Sequence, residues 1–221
     1  MGEIVLVKKY NPADIGPVDT KEVLRYAGQR KEPEKEVQRL LKEVINESKF
    51  SFRVAFYRTE GVAFRHTSKD LEKLLTGCHS SYIFAATLGV DVDRMIAKYS
   101  KTSPTKALLL DALGTERIEA LCDKFFADMR DNETSRGNAL TKRFSPGYGD
   151  LALEHQKDIC KLLDSHKLIG VSLNESLLMS PSKSVTAVMG VKKAASKKPI
   201  YQECFHKCEG CKKTDCEFRG R

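Results

Sequence analysis

Strand-like and helix-like segments alternate along this chain of 221 residues, but without the regular rhythm of βαβ units. No G-x-G-x-x-G loop follows a predicted strand, and we find no internal repeat. Hydrophobic residues make up 41% of the chain and charged residues 31%, a balance that is typical of globular proteins and excludes a disordered chain. The pattern therefore predicts an α+β fold, with a mixed, largely antiparallel, twisted sheet flanked by helices.

The strands of this sheet are predicted from short apolar segments rich in β-branched and aromatic residues. We expect strands at IVLV (4–7), at SSYIFAATLG (80–89) and at SVTAVMGV (184–191). The segments FRVAFYR (52–58) and VAFRH (62–66) flank a Glu-Gly turn, which predicts a hairpin.

The helices are predicted from apolar residues repeated at helical spacing. One amphipathic helix is expected over 33–48, and the longest helical segment covers 105–132, where Gly114 suggests a bend or break. Asp19 is placed to cap a short helix near the N-terminus. A further helix is expected over 151–165.

The loop RFSPGYGD (143–150) holds more chemistry than a turn requires. Its proline and two glycines are sufficient to build a turn. Arg143 adds a permanently charged, planar donor that matches a carboxylate, and Tyr148 adds a flat ring with one hydroxyl. Two interpretations follow: a site for a zwitterionic or cationic small molecule, or a plain loop whose Arg143 and Tyr148 pair with neighbours.

This loop and a second motif together resemble the reactivation domain of cobalamin-dependent methionine synthase. The second motif, IGVSLNESLLMSPSKSVTAVMGV (169–191), follows about thirty residues later. The residues that agree with the family's pattern in order and spacing are Gly170, Leu173, Asn174, Glu175, Ser176, Met179, Pro181, Ser184 and Val185. The resemblance covers roughly residues 105–190. Phe144 and Gly149 depart from it, because the family often has proline at these positions.

In that family the loop binds S-adenosylmethionine, and the resemblance implies roles for four loop residues. Arg143 would contact the ligand's carboxylate, Tyr148 would line the site, and the backbone of Ser145 would meet the adenine end. Gly147, which leaves no Cβ in the way of a ligand, is assigned to the same site.

The resemblance also implies two acidic contacts from outside the loop. A glutamate on the preceding long helix binds the ligand's amino group in the family, and Glu119 in RIEAL is our candidate. A solvated helix face is the alternative for Glu119. An acid near the N-terminus also contacts the ligand in the family, and Asp19 is the nearest match.

The function implied by the resemblance is reductive reactivation of a cobalamin-dependent methionine synthase. The domain would bind S-adenosylmethionine and present its methyl group to cob(I)alamin held by a partner, after a flavodoxin- or ferredoxin-like protein has supplied one electron. A chain of 221 residues has no room for the homocysteine, folate and cobalamin modules, so we expect a free-standing activator acting in trans. It would be an accessory component of the synthase; whether it counts as an enzyme in its own right stays open.

The C-terminal tail carries a separate signal. Cys204, Cys208, Cys211 and Cys216 follow a C-x3-C-x2-C-x4-C spacing, which can hold one metal ion or one iron–sulfur cluster. An iron–sulfur cluster, zinc with His206 as a substitute ligand, and free or disulfide-forming thiols stay open as alternatives. The predicted organisation is a domain over 1–191, a basic linker over 192–203 and this tail over 204–221.

Other functions are weighed against the same residues. From Lys183 to the end, ten lysines and arginines face four acidic residues, so a nucleic-acid-binding protein with a zinc-knuckle tail is an alternative that the few aromatic residues of the tail disfavour. Activation of another corrinoid methyltransferase is a second alternative. An ordinary methyltransferase lacks support, since the glycine-rich loop is missing. No run of eighteen apolar residues and no secretory signal occur, so we expect a cytoplasmic protein.

Overall fold

A five-stranded antiparallel sheet forms the centre of the protein, as seen in a computed structural model that describes residues 5–29 and 31–194. Its strand order is β1-β2-β3-β7-β4, and a separate two-stranded sheet pairs β5 with β6. The strands are β1 Leu6–Lys9, β2 Arg53–Thr59, β3 Ser80–Thr87, β4 Asn138–Leu140, β5 Ser172–Leu173, β6 Met179–Ser180 and β7 Ser184–Lys193.

Eight described helices cover the sheet. They are α1 Pro12–Ile15, α2 Thr20–Tyr26, α3 Lys35–Glu47, α4 Lys69–Leu75, α5 Asp91–Ser100, α6 Pro104–Ser135, α7 His155–Leu162 and α8 Ser165–Ile169. This arrangement confirms the predicted α+β fold with a largely antiparallel sheet flanked by helices, and all pairings between the described strands are antiparallel. No described helix is both long enough and apolar enough to cross a membrane.

Strand β3 shows how the core is divided, because all eight of its residues are buried. Successive side chains of a strand point to opposite faces. Phe84 therefore packs on Phe125 of α6, with ring centroids 5.0 Å apart. Ile83 belongs to the cluster on the other face, with Ile159 of α7. The sheet thus separates α6 from α7, and a cavity at its edge is reached from both helices.

The long helix α6 runs unbroken through Gly114. The aliphatic stem of Lys183 covers this glycine, and a Cβ added there would lie 2.9 Å from that stem. The Lys183 ammonium reaches Asp111 at 2.8 Å and Thr115 at 3.0 Å. Gly114 is therefore a point of close packing within the helix, and the predicted break does not occur there.

The predicted hairpin between 52–58 and 62–66 is wrong, because residues 62–66 do not form a strand. β2 pairs with β1 on one side, where Leu6 lies opposite Phe56, and with β3 on the other. Both edges of β2 are therefore occupied, and no edge is left for residues 62–66 to pair with. The helix predicted over 151–165 is also shorter, since it begins at His155 and ends at Leu162.

Strand β7 leaves part of its outer edge uncovered. β3 pairs with β7 from Ser184 to Val191, but β4 pairs only with residues 191–193 on the other side. An isolated bridge joins Phe144 to Val188. Residues 184–187 therefore have a strand on one side only, and the candidate site lies against this open edge. The strand itself continues to Lys193 and so includes the first two residues of the expected basic linker.

Candidate ligand-binding site at the edge of the sheet

A cavity of about 500 Å³ lies against the open edge of β7, and we call it the edge cavity. Three parts of the chain form its walls: α6, the loop after β4 with the start of α7, and the strands β6 and β7. The lining residues are Glu119, Lys142, Arg143, Phe144, Ser145, Pro146, Tyr148, Gln156, Met179, Ser184, Val185 and Thr186.

An ion pair stands on one wall of the edge cavity. The Arg143 guanidinium donates to Glu119 Oε2 at 2.6 Å, and the same nitrogen lies 3.3 Å from Asp123 Oδ1. The side chains of Arg143 and Glu119 are 25% and 33% exposed, so the pair is neither fully buried nor fully solvated. Each charged group can therefore rotate away from the other toward a ligand while it stays partly solvated.

The thiol of Cys122 lies beneath this pair and is fully buried. Burial raises the pKa of Cys122 to about 12. The group is therefore a neutral thiol at physiological pH, and thiolates are the reactive form of cysteine. The charged side chains of this pair that remain available for a ligand are the Glu119 carboxylate and the Arg143 guanidinium.

The loop that follows Arg143 is fixed at both ends. Phe144 exchanges two main-chain hydrogen bonds with Val188, at 2.8 and 2.9 Å. Asp150 accepts from the main-chain N–H groups of Lys69 and Asp70, at 2.7 and 3.2 Å, and from the hydroxyl of Ser68. These donors belong to the first turn of α4, and their bonds lower the pKa of the Asp150 carboxyl. The loop is thereby bonded to strand β7 and to helix α4, which packs on the same face of the sheet as α7.

The two glycines of the loop are required by its backbone. Gly147 has φ +89° and Gly149 has φ +55°, in the left-handed region that side chains disfavour. A Cβ at Gly149 would also collide with the carboxylate of Asp70. The turn closes through a bond from the Tyr148 N–H to the Ser145 carbonyl at 3.2 Å. Tyr148 itself is 70% exposed, at the mouth of the cavity.

The structure brings together four of the six residues predicted to bind the ligand. Arg143, Ser145, Tyr148 and Glu119 all line the edge cavity, although Glu119 precedes Arg143 by 24 residues. Gly147 lies in the same loop without appearing among the lining residues.

Asp19 is not among the residues that line the edge cavity, but it contacts α6 one turn before Glu119. Its carboxylate accepts the main-chain N–H groups of Lys21 and Glu22, at 3.0 and 3.2 Å, and so caps α2. Its own N–H donates to Glu116 Oε1 at 3.2 Å. The capping role matches the sequence prediction, but the residues that line the edge cavity do not include Asp19.

Three lining residues lie neither in the loop 143–150 nor among the residues that agree with the family's second motif, and had no predicted role: Lys142, Gln156 and Thr186. Thr186 lies within the second motif, directly after Val185, so the sequence did indicate that this segment belongs to the family's pattern. Gln156 carries no signal in the sequence, because a glutamine in the first turn of a helix is ordinarily solvated. Here it is only 7% exposed.

The predicted metal ligands Cys204, Cys208, Cys211 and Cys216 lie outside the described residues. Within residues 5–29 and 31–194, no group of three or more histidine, cysteine, aspartate or glutamate side chains is arranged to hold a metal ion.

Comparison with known proteins gives a match to a protein family and matches to solved structures. Residues 76–202, more than half of the chain, match the family described as vitamin B12 dependent methionine synthase, activation domain. Among solved structures, the MetH reactivation domain bound to AdoHcy matches with a TM-score of 0.62 and 16% sequence identity, covering 89% of this chain and 80% of that one. At that identity the likeness shows a shared fold. A search of curated proteins found no match.

Proposed function

Because the chain belongs to the family of the vitamin B12 dependent methionine synthase activation domain, we propose that it reactivates a cobalamin-dependent methionine synthase in trans. In this proposal the edge cavity binds S-adenosylmethionine. A flavodoxin- or ferredoxin-like protein supplies one electron, which reduces cob(II)alamin on the partner to cob(I)alamin. The carbon–sulfur bond of the sulfonium then breaks, the methyl group passes to the partner's cobalt, and S-adenosylhomocysteine remains in the cavity.

The observation that carries the proposal is the pairing of Arg143 with Glu119 on the wall of one cavity. The amino-acid end of S-adenosylmethionine has one carboxylate and one ammonium. These two charges match the guanidinium and the carboxylate of the pair. When the ligand enters, each protein charge exchanges one partner for another of the same sign, so neither is left unpaired. An ion pair that is already assembled is thus suited to a zwitterion.

Asp123 has a distinct part in this exchange. It lies 3.3 Å from the Arg143 guanidinium, yet it does not line the cavity. It therefore keeps Arg143 in place while Glu119 turns to the ligand's ammonium.

The size of the cavity suits a nucleoside as well as an amino acid. Small-molecule sites commonly enclose about 300–1,000 Å³, and the edge cavity has about 500 Å³. Tyr148 offers its ring at the mouth, and Pro146 and Met179 add apolar surface. Leu178, next to Met179, is 63% exposed and adds an apolar rim on which a partner could dock.

In this proposal the chain contributes to the reaction by positioning the sulfonium methyl group. The methyl acceptor belongs to the partner, so the chain needs no nucleophile of its own, and the protonated Cys122 would be a poor one. Holding the sulfonium methyl in line with the acceptor converts an encounter between two solutes into a reaction of one complex. The cavity must therefore stay open on the side that the partner covers.

The experiment is isothermal titration of the full chain with S-adenosylmethionine. We expect one site per chain, with affinity that falls in the Arg143→Ala and Glu119→Gln variants and is unchanged in Arg130→Ala. Arg130 is the matched control, because its guanidinium pairs with its neighbour Asp131 on the exposed part of α6. Absence of binding to the parent chain would contradict the proposal.

Action in trans needs a second measurement. A methionine synthase core that carries cobalamin but lacks a reactivation domain is incubated with the chain, reduced flavodoxin and S-adenosylmethionine labelled in the methyl group. We expect label on the cobalamin of the core only when the chain is present. Binding of S-adenosylmethionine without label transfer to this core would point to another corrinoid protein as the partner.

A further inference from the structure

The main chain of β7 presents polar groups to the edge cavity. In an antiparallel pair, the N–H and C=O of one residue point to the same side, and this side alternates along the strand. Val188 directs both groups outward, since it donates to and accepts from Phe144. Gly190 does the same toward Thr141. Because β7 keeps an unbroken register with β3, Thr186 must also direct its N–H and C=O outward.

The opposite side of β7 confirms this alternation. Lys183 and Val191 are odd-numbered, and their carbonyls accept bonds from Leu88 and from His79 on the β3 side. Thr186 is therefore a residue whose two main-chain groups point away from β3 and toward the open edge.

The outward groups of Thr186 have no hydrogen-bond partner among the described residues. β4 covers only residues 191–193, and the bridge from Phe144 reaches only Val188. Thr186 is nonetheless 2% exposed and lines the cavity. Buried main-chain donors and acceptors are nearly always paired. A donor and an acceptor left together in a cavity therefore point to a ligand with the complementary pair.

Gln156 adds a third unpaired group on the wall formed by α7. Its side chain is buried, it lines the same cavity, and its Oε1 has no hydrogen-bond partner among the described residues. Leaving such an acceptor unpaired costs about 1–3 kcal/mol. The cavity thus holds two acceptors and one donor that no group of residues 5–29 and 31–194 satisfies.

We infer that Thr186 and Gln156 recognise the adenine base of the ligand by its amino edge, an inference that rests on the proposed function. The Thr186 N–H would donate to ring nitrogen N1, and the Thr186 carbonyl would accept one hydrogen of the 6-amino group. Gln156 Oε1 would accept the other hydrogen, on the side of N7. Glutamine is well suited to this edge, because its amide pairs with the 6-amino group and N7 of adenine.

In this proposal the two ends of the ligand lie at different walls of the cavity. Arg143 and Glu119 hold the amino-acid end at α6, while the base reaches the strand edge and α7. A hypoxanthine base would be rejected, since its 6-oxo group faces two acceptors and its protonated N1 faces the Thr186 N–H. The site is thus selective for adenine over other purines.

The test compares ligands, because a main-chain group cannot be removed by a side-chain substitution. The full chain is titrated with S-adenosylmethionine, with its hypoxanthine counterpart, and with the counterpart whose purine lacks the 6-amino group. We expect the affinity to fall by about tenfold or more for each modified base, since buried acceptors then stay unpaired.

A variant at Gln156 sharpens the result. In Gln156→Met we expect affinity for S-adenosylmethionine to fall about fivefold, and affinity for the ligand without the amino group to stay within about twofold of the parent. Gln38→Met is the matched control, because Gln38 lies on the exposed face of α3. Should Gln156→Met fail to fold, the ligand series on the parent chain still decides.

The outcomes separate the two claims. If the parent chain binds all three ligands equally, the base-recognition inference is overturned and the proposed function stands. If it binds none of them, the proposed function fails and the inference fails with it. If only S-adenosylmethionine binds tightly and Gln156→Met reduces that preference, both are supported.

Discussion

Helix α6 carries two arginine–carboxylate clusters, and they differ in how completely the carboxylate is satisfied. One centres on Glu119 at the edge cavity. The other centres on Glu133, fourteen residues later and about 21 Å along the helix at 1.5 Å per residue. We call the second one the buried cluster; its members are Glu133, Tyr82, Asn138, Arg58 and Arg136.

The buried cluster leaves Glu133 without free capacity. Glu133 is 0% exposed and accepts from the Tyr82 hydroxyl and the Asn138 amide, each at 2.7 Å. Arg58 and Arg136 lie 3.4 and 3.7 Å from the same carboxylate. Burial alone would raise the pKa of Glu133, but these partners hold it below its ordinary value. A charge removed from water is tolerated here because four groups replace the water.

The edge cluster has fewer fixed partners. Glu119 receives one short bond from Arg143, and both side chains keep contact with solvent. The comparison teaches that the same pair of residue types serves different ends. A saturated, buried carboxylate stabilises the fold, whereas a pair on a cavity wall can exchange its partner for a ligand. Four predictions test this distinction.

The largest effect is expected on stability from Glu133→Ala. Removing the carboxylate leaves a buried hydroxyl and amide without their partner, and we expect a loss of about 3 kcal/mol in the free energy of unfolding, measured by urea denaturation. Glu119→Ala is the control, with an expected loss of less than about 1 kcal/mol. Equal losses in the two variants would remove the distinction between the clusters.

The second effect is on binding. Arg143→Ala should weaken S-adenosylmethionine binding by at least about tenfold, because a hydrogen bond to a charged group contributes about 1.5–3 kcal/mol. Arg136→Ala removes an arginine from the buried cluster and should leave the affinity within about twofold of the parent. Calorimetric titration measures both. Equal affinities for parent and Arg143→Ala would reject the role of Arg143.

The two tyrosines provide a third, smaller contrast. Tyr82→Phe removes a buried donor to Glu133 and should lower the free energy of unfolding by about 1–2 kcal/mol. Thermal and urea denaturation measure this loss. Tyr148→Phe should change stability by less than about 0.5 kcal/mol, since its side chain is 70% exposed. A Tyr148→Phe variant as unstable as Tyr82→Phe would mean that Tyr148 belongs to the fold rather than to the site.

The smallest effect is on the pH dependence of stability. The folded pKa of Glu133 is lowered. Its contribution is therefore fully present above the unfolded value of about 4.3 and is lost as the pH falls below that value. Glu133→Gln should accordingly show a shallower loss of stability below about pH 4.5 than the parent chain. Identical slopes from pH 6 to pH 3 would mean that Glu133 is not stabilised as a carboxylate.

The helices α3 and α6, the long strands β3 and β7 and the caps of α2 and α4 could be predicted from the sequence. The apolar spacing of α3, the run of α6, the buried strand β3 and the cap of α4 by Ser68 all depend on residues within a few positions of each other. The residues of the loop after β4 left a ligand site and a plain loop open as alternatives, and this loop together with the second motif indicated the family. The roles of Arg143, Ser145, Gly147, Tyr148, Glu119 and Asp19 in binding stay predictions.

What the sequence could not decide is which distant groups meet. β1 rather than residues 62–66 takes the edge of β2, because strand pairing is a competition among all available edges. Asp150 caps a helix that begins 81 residues earlier.

The open edge at Thr186 exists because β4 is short and pairs only with the end of β7, which no local pattern reveals. Periodicity and capping depend on residues that are close in the sequence. A cavity depends on how elements that are distant in the sequence pack against each other.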